Sequence, residues 1–182
     1  MRSSRRSFLL DTARCAALPA ATVAAVAGWP LLVSAEPASP SAARAELSGP
    51  TLGGKMLSLQ DLRGKVVLVW FWSTTCAVCR DVLPELRSNY AGWHGKPFEL
   101  VTVATDGLRD DVVHYERIVQ TIVSLKESPP ALWRRDPRHR DNFPAGLALP
   151  SAFLVDASGR VVEQYAGRIP AQAWDRIAEL LP

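Results

Sequence analysis

Two cysteines three residues apart, in Cys76-Ala77-Val78-Cys79, have the type and spacing to do chemistry. They follow a run of β-branched and aromatic residues at 65–72 and open a stretch with helical spacing at Val78, Val82, Leu83 and Leu86. A strand-to-helix junction is predicted at the pair. The first turn of a helix presents unpaired backbone N–H groups and the positive end of its macrodipole, both of which favour an anion. A cysteine placed there is held toward the thiolate, its nucleophilic form. Cys76 is therefore the predicted nucleophile. Residues three apart on a helix have Cβ atoms about 5–6 Å apart, close enough for Cys79 to form a disulfide with modest movement. Attack of Cys76 on a substrate disulfide would give a mixed disulfide, and Cys79 would resolve it by closing onto Cys76.

Other uses of two thiols are weaker fits. Tetrahedral zinc needs further ligands, yet there is no second C-x-x-C, and His94, His114 and His139 are widely spaced. A Cu(I)-binding metallochaperone is the alternative from a different class, since soft sulfur ligands suit that ion, although no methionine lies near the pair. A purely structural disulfide over so short a loop would remove little chain entropy. No metal or organic cofactor is required.

The elements that must position the pair are readable from pattern. The unbroken apolar run at 65–72 predicts a strand buried on both faces, and 98–105 a second. Ser73-Thr74-Thr75 are predicted N-cap residues, and Pro84 should kink the helix they start. A second helix is predicted at 110–126, with Val112, Val113, Ile118, Val119, Ile122 and Val123 as its apolar face. A short strand is expected at 131–133, two strands at 151–155 and 160–165 around Asp156-Ala157-Ser158-Gly159, and a closing helix at 171–181. Gly53-Gly54 within 52–62 marks an N-terminal β-hairpin. This order predicts an α/β fold with a mixed β-sheet sandwiched between helices.

The chain has 182 residues and a formal net charge of +3. That excess lies wholly in residues 1–35, where Arg2, Arg5, Arg6 and Arg14 face only Asp11, and the remainder balances at 17 basic and 17 acidic residues. No nucleic-acid partner is indicated. Residues 1–35 instead read as an export signal, with an Ala-rich stretch at 16–33 and the small-residue site Val33-Ser34-Ala35. Ser4-Arg5-Arg6-Ser7-Phe8-Leu9 resembles the twin-arginine (Tat) motif of proteins exported already folded. Pro19, Gly28 and Pro30 make the stretch a poor permanent span, so membrane contact is expected only if it stays uncleaved. Its removal would also remove Cys15, leaving Cys76 and Cys79 as the only thiols. Residues 36–46 read as a flexible linker and 47–182 as the folded domain.

Three blocks carry a family resemblance: Leu62-Arg63-Gly64-Lys65-Val66-Val67-Leu68-Val69, then Phe71-Trp72-Ser73-Thr74-Thr75-Cys76-Ala77-Val78-Cys79-Arg80 with Pro84-Glu85-Leu86, and Leu149-Pro150-Ser151-Ala152-Phe153-Leu154-Val155-Asp156. Together they resemble the thioredoxin-like thiol-disulfide oxidoreductases of the TlpA/ResA type. The resemblance implies a thioredoxin-like sheet, Cys76 as the attacking and Cys79 as the resolving cysteine. Pro150 is similar to the family's cis-proline, beside which Leu149 pairs with an extended substrate segment; Thr75 completes the implied substrate-binding set. It also implies a periplasmic enzyme that reduces disulfides in partner proteins, such as apocytochrome c during haem attachment, with electrons from a membrane thiol donor.

This sequence departs from that family at four positions. Thr75 stands where Trp is usual and Val78 where Pro is frequent, while Trp70 and Val82 occupy the places of an acidic group beneath the disulfide. Asp81 is adjacent but should point to another face. A thiol peroxidase is the second enzymatic alternative, against which Val69 replaces an upstream proline. Arg134, Arg135, Arg138, His139 and Arg140, interrupted by Asp136 and Asp141, are expected to form a solvated loop rather than a docking surface for an acidic partner. Trp70, Trp72, Trp93 and Trp133 are expected mostly in the core.

Overall fold

The computed structural model describes residues 44–122 and 128–182. The expected export segment at 1–35, most of the linker, and the expected last turn of the second helix, with Val123, lie outside the described residues.

Along the chain run β1 (Leu47–Pro50), β2 (Met56–Ser58), β3 (Val66–Trp72), α1 (Ala77–Gly92), β4 (Phe98–Ala104), α2 (Arg109–Ile122), β5 (Ala131–Trp133), β6 (Arg140–Asp141), β7 (Ser151–Val155), β8 (Val161–Ala166) and α3 (Gln172–Leu180). The main sheet has the order β5-β4-β3-β7-β8. β3, β4 and β5 are parallel, whereas β7 runs antiparallel to β3 and β8 antiparallel to β7. The run at 65–72 has the predicted cause, since every residue of β3 is buried; β4, the second strand expected to be buried on both faces, is buried except at Glu99, and β7 is buried throughout. β7 turns into β8 through Asp156, whose Oδ1 accepts from Arg160 N and Ser158 Oγ. In the same turn Gly159 has φ +81, and a Cβ there would collide with the Arg63 guanidinium.

Side chains of β3 alternate between two clusters. Val66, Leu68, Trp70 and Trp72 meet α1 through Cys79, Val82, Leu83 and Leu86, α2 through Val112, and α3 through Ala173 and Ile177. Val67, Val69 and Phe71 face the other way, onto Ala45, Leu47, Leu59, Leu132, Phe143 and Phe153. The crossovers β3-α1-β4 and β4-α2-β5 step in the same direction, so crossovers of one hand deliver both helices to one face. The mixed sheet and the hairpin are as expected, but among the described residues the second covering layer contains no helix. It is the small antiparallel sheet β2-β1-β6 with the segment around Phe143. Arg44 is already bridged to Arg160, and Ala45 is buried, inside the stretch expected as linker.

α2 departs from expectation as well. Only Val112 of its expected apolar face is buried, while Ile118 and Ile122 are 44% and 76% exposed. The helix is tied down instead by an ion pair, Arg87 Nη2 of α1 to Glu116 at 2.7 Å. Burial pushes the Glu116 carboxyl above its usual range, against the opposing pull of Arg87.

Candidate active site

Cys76 is the N-cap of α1, with extended backbone at φ −83 and ψ 109, and its Sγ accepts the backbone N–H of Cys79 at 3.1 Å. The sulfur itself therefore takes a cap role, where Ser73-Thr74-Thr75 were expected to cap the helix. That contact places Sγ among the unpaired amides that stabilise a thiolate. Cys76 and Cys79 form a disulfide, with Cα atoms 5.2 Å apart. Their exposures differ: Cys79 is fully buried against α1's core partners and Cys76 is partly exposed. An incoming group can reach only the Cys76 side.

The three residues before the pair converge on a carboxylate absent from the sequence-level candidates. Asp106, just beyond β4 and 5% exposed, accepts at Oδ1 from Thr74 N at 2.9 Å, Thr74 Oγ1 at 2.5 Å and Ser73 Oγ at 3.1 Å. Ser73 Oγ in turn accepts from Thr75 N, and Ser73 O accepts from Cys76 N at 3.1 Å. Trp133 Nε1 donates to the Asp106 carbonyl, fixing the acid from the β5 side. Oδ2 of Asp106 is buried with no hydrogen-bond partner among the described residues. A sequence signal for it existed: a lone acid directly after an apolar strand, at the carboxyl end of a strand parallel to the cysteine-bearing one, is where α/β sheets place their sites. Arg80, one residue past Cys79, donates to the Thr74 carbonyl from the other side of the loop.

Beneath the pair the positions flagged as lacking an acid are apolar and buried, Trp70 at 0% and Val82 at 2% exposure. Asp81 points away, exposed and paired with Arg168. Leu149-Pro150 is a cis peptide bond. Phe71 is level with Ser151 in the antiparallel pairing of β3 and β7, so Leu149 and Pro150 lie at the end of β3 from which the Ser73–Cys76 loop departs. Leu149 is half-buried against both core clusters, and Thr75 is exposed, its Oγ1 within 2.9 Å of Ser73 Oγ. Among the described residues no three His, Cys, Asp or Glu side chains are grouped to hold a metal ion.

The basic stretch is solvated in part, with Arg135, Arg138 and Arg140 exposed as expected, but Arg134 and His139 are drawn into the fold. Arg134 grips Asp141 through two bonds of 2.8 and 2.7 Å, donates to the Phe143 carbonyl, and lies 4.8 Å over the Phe71 ring. His139 is buried, with Nε2 2.9 Å from Asp141 Oδ2. Burial pushes the Asp141 carboxyl up, but the hydrogen bonds from His139 and Arg134 outweigh it and hold the group at about 2. Local sequence could not show this, because Arg134 and Asp141 meet only once the chain has turned back through β6.

The sequence matches the AhpC/TSA family over residues 41–164. It is similar to thiol-disulfide oxidoreductase ResA of Bacillus thuringiensis (strain Al Hakam), 29% identical over 116 residues that make up 64% of this chain and 63% of that protein. The match thus spans a little under two thirds of that relative's length. A thiol:disulfide interchange protein of the thioredoxin family from Chlorobium tepidum TLS superposes with a TM-score of 0.59 at 24% identity, covering 78% of this chain and 96% of that one. StoA from Bacillus subtilis superposes with a TM-score of 0.56 at 19% identity, covering 75% and 98%. At such identities these structures establish the fold, which is thioredoxin-like.

Proposed function

The chain belongs to the AhpC/TSA family, and from that premise we propose that it is a thiol-disulfide oxidoreductase whose Cys76 and Cys79 cycle between dithiol and disulfide. The observation that carries the reading is the unequal pair: a reachable sulfur capping a helix, bonded to a buried one three residues on. In the reducing direction the Cys76 thiolate attacks one sulfur of a substrate disulfide and the other leaves as a thiolate that takes up a proton. Cys79 then loses its proton and attacks Cys76 Sγ, expelling the second substrate thiolate. Two electrons pass to the substrate, and the protein ends as the disulfide. Thr75, Leu149 and Pro150 form the proposed docking edge for the substrate backbone.

The proposed setting is the periplasm. Residues 1–35 serve as a twin-arginine export signal, followed by a linker that ends before Arg44, and the chain from Arg44 on is the working domain, with a membrane thiol donor and protein substrates such as apocytochrome c. The export-signal pattern of residues 1–35 supports this setting, and the similarity to ResA supports the thiol-disulfide chemistry. An oxidising compartment demands a dedicated electron supply for such a reductant.

The test is insulin reduction by the reduced protein, with Cys76→Ser expected inactive and Cys79→Ser expected to accumulate a mixed disulfide on Cys76. Stoichiometric Cu(I) binding without insulin reduction would replace this reading with the metallochaperone. Oxidation of Cys76 by hydrogen peroxide much faster than exchange with disulfides would replace it with the thiol peroxidase.

A further inference from the structure

On the face that the helices leave uncovered, at the disulfide end of the sheet, lies a groove of about 670 Å³. Its two ends touch the site. Thr105, on one wall, donates through N and Oγ1 to the carbonyl of Trp72, the residue before the Ser73–Cys76 loop. Leu149, on the other, is the residue before cis-Pro150. Phe143 and Leu147 supply an apolar lining between them.

The charge in this groove does not cancel. Arg134 is consumed by Asp141, the only carboxylate among the lining residues. Among the described residues the Arg140 side chain donates to the carbonyls of Pro137 and His139, which are neutral acceptors, and forms no ion pair. Arg135 is exposed and has no ion pair among the described residues. Two arginines without an ion pair among the described residues therefore line the groove, beside apolar surface and next to Leu149.

We propose that this groove selects the substrate: it takes the extended segment flanking the target cysteine and favours one bearing Asp or Glu within a few residues of that cysteine. This deepens the oxidoreductase reading and rests on it. A segment laid along Leu149 advances about 3.3 Å per residue, so neighbours a few positions from the attacked cysteine extend into the groove that Leu149 and the arginines line together. Arginine's planar fork suits a carboxylate, and partial exposure keeps each pairing modest.

The experiment uses two disulfide-bearing peptides that differ only in a Glu or a Lys two residues from the cysteine, with the reduced full chain as electron donor. The expected kcat/KM for the Glu peptide is about fivefold above that for the Lys peptide at low salt, the ratio that one or two exposed ion pairs supply. High salt should bring the ratio toward one. Arg135→Glu, at a side chain with no ion pair among the described residues, leaves one cation and one anion beside the groove and should bring the ratio toward one, and Arg135→Lys should keep it. Equal rates for the two peptides in the wild-type protein, or an unchanged ratio in both Arg135→Glu and Arg140→Ala, overturn the proposal while leaving the redox chemistry intact. Failure to reduce either peptide overturns the oxidoreductase reading and the groove's role with it.

Discussion

Two residues show how differently a site can be written into a chain. Cys76 and Cys79 are legible because their spacing is itself the chemistry, and a strand-to-helix junction can be read around them. Asp106 lies 27 residues from Cys79 in the sequence, and only the parallel pairing of β3 with β4 brings it to the loop. Its Oδ1 holds three donors of Ser73 and Thr74 in place, and bonds to a charged acceptor contribute about 1.5–3 kcal/mol where they are sheltered from water. Thr74 is partly exposed, so water recovers some of that. Asp106→Ala is expected to lower unfolding free energy by about 2 kcal/mol in urea titrations and to slow insulin reduction, because Cys76 then hangs from an unfastened loop. Asp106→Asn keeps an acceptor at Oδ1 and should recover most of the stability. Equal loss in both variants would mean that charge, rather than the hydrogen-bond fastening, is what matters.

At the level of elements, β3 and β4 are legible as strands buried on both faces, which have no polar alternation to confuse, and the Asp156–Gly159 turn locates β7 and β8. α2 misled for the converse reason. Val113, Ile118, Val119 and Ile122 have helical spacing, yet the sheet offers this helix a narrow contact at Val112 and Tyr115, and the rest is left to Arg87 and Glu116. β6 escaped detection because two residues, Arg140 and Asp141, carry no period, and their pairing with Leu47 and Ser48 spans most of the domain. That pairing has a steric requirement at Gly49. A Cβ there would sit 3.0 Å from His139 Nδ1 and 3.2 Å from His139 Cα, a backbone atom that cannot swing aside. Gly49→Ala is expected to destabilise by about 1–3 kcal/mol, the range for overpacking. Gly92, in the last turn of α1, meets nothing within 4 Å. Gly92→Ala should therefore stabilise by up to about 1 kcal/mol through helix propensity, and thermal unfolding of the two variants should move in opposite directions.

Across the whole molecule, one sheet separates two apolar clusters that are closed by different means. The helical side relies on burial, while the other side closes over Phe71, Phe143 and Phe153 with short strands fastened by Asp141, Arg134 and His139. This second closure makes the domain's stability depend on acid. A carboxyl that ionises more readily folded than unfolded adds stability above its ordinary value of 3.8, and the contribution disappears as pH falls through its folded value of about 2. With the side chain 6% exposed, the shift corresponds to about 2 kcal/mol, a sizeable part of the roughly 5–15 kcal/mol that holds a domain folded. Asp141→Asn should thus be less stable than the wild-type protein at pH 7 by about that amount in urea unfolding. The gap should stay level down to about pH 4 and narrow between there and pH 2, as the wild-type carboxyl also becomes neutral. Hydrogen exchange in the same window should quicken first at Leu47 and Ser48, the partners of β6, before β3 and β4 respond. A gap that stays constant to pH 2 would show that the charge on Asp141 is not what keeps this face closed.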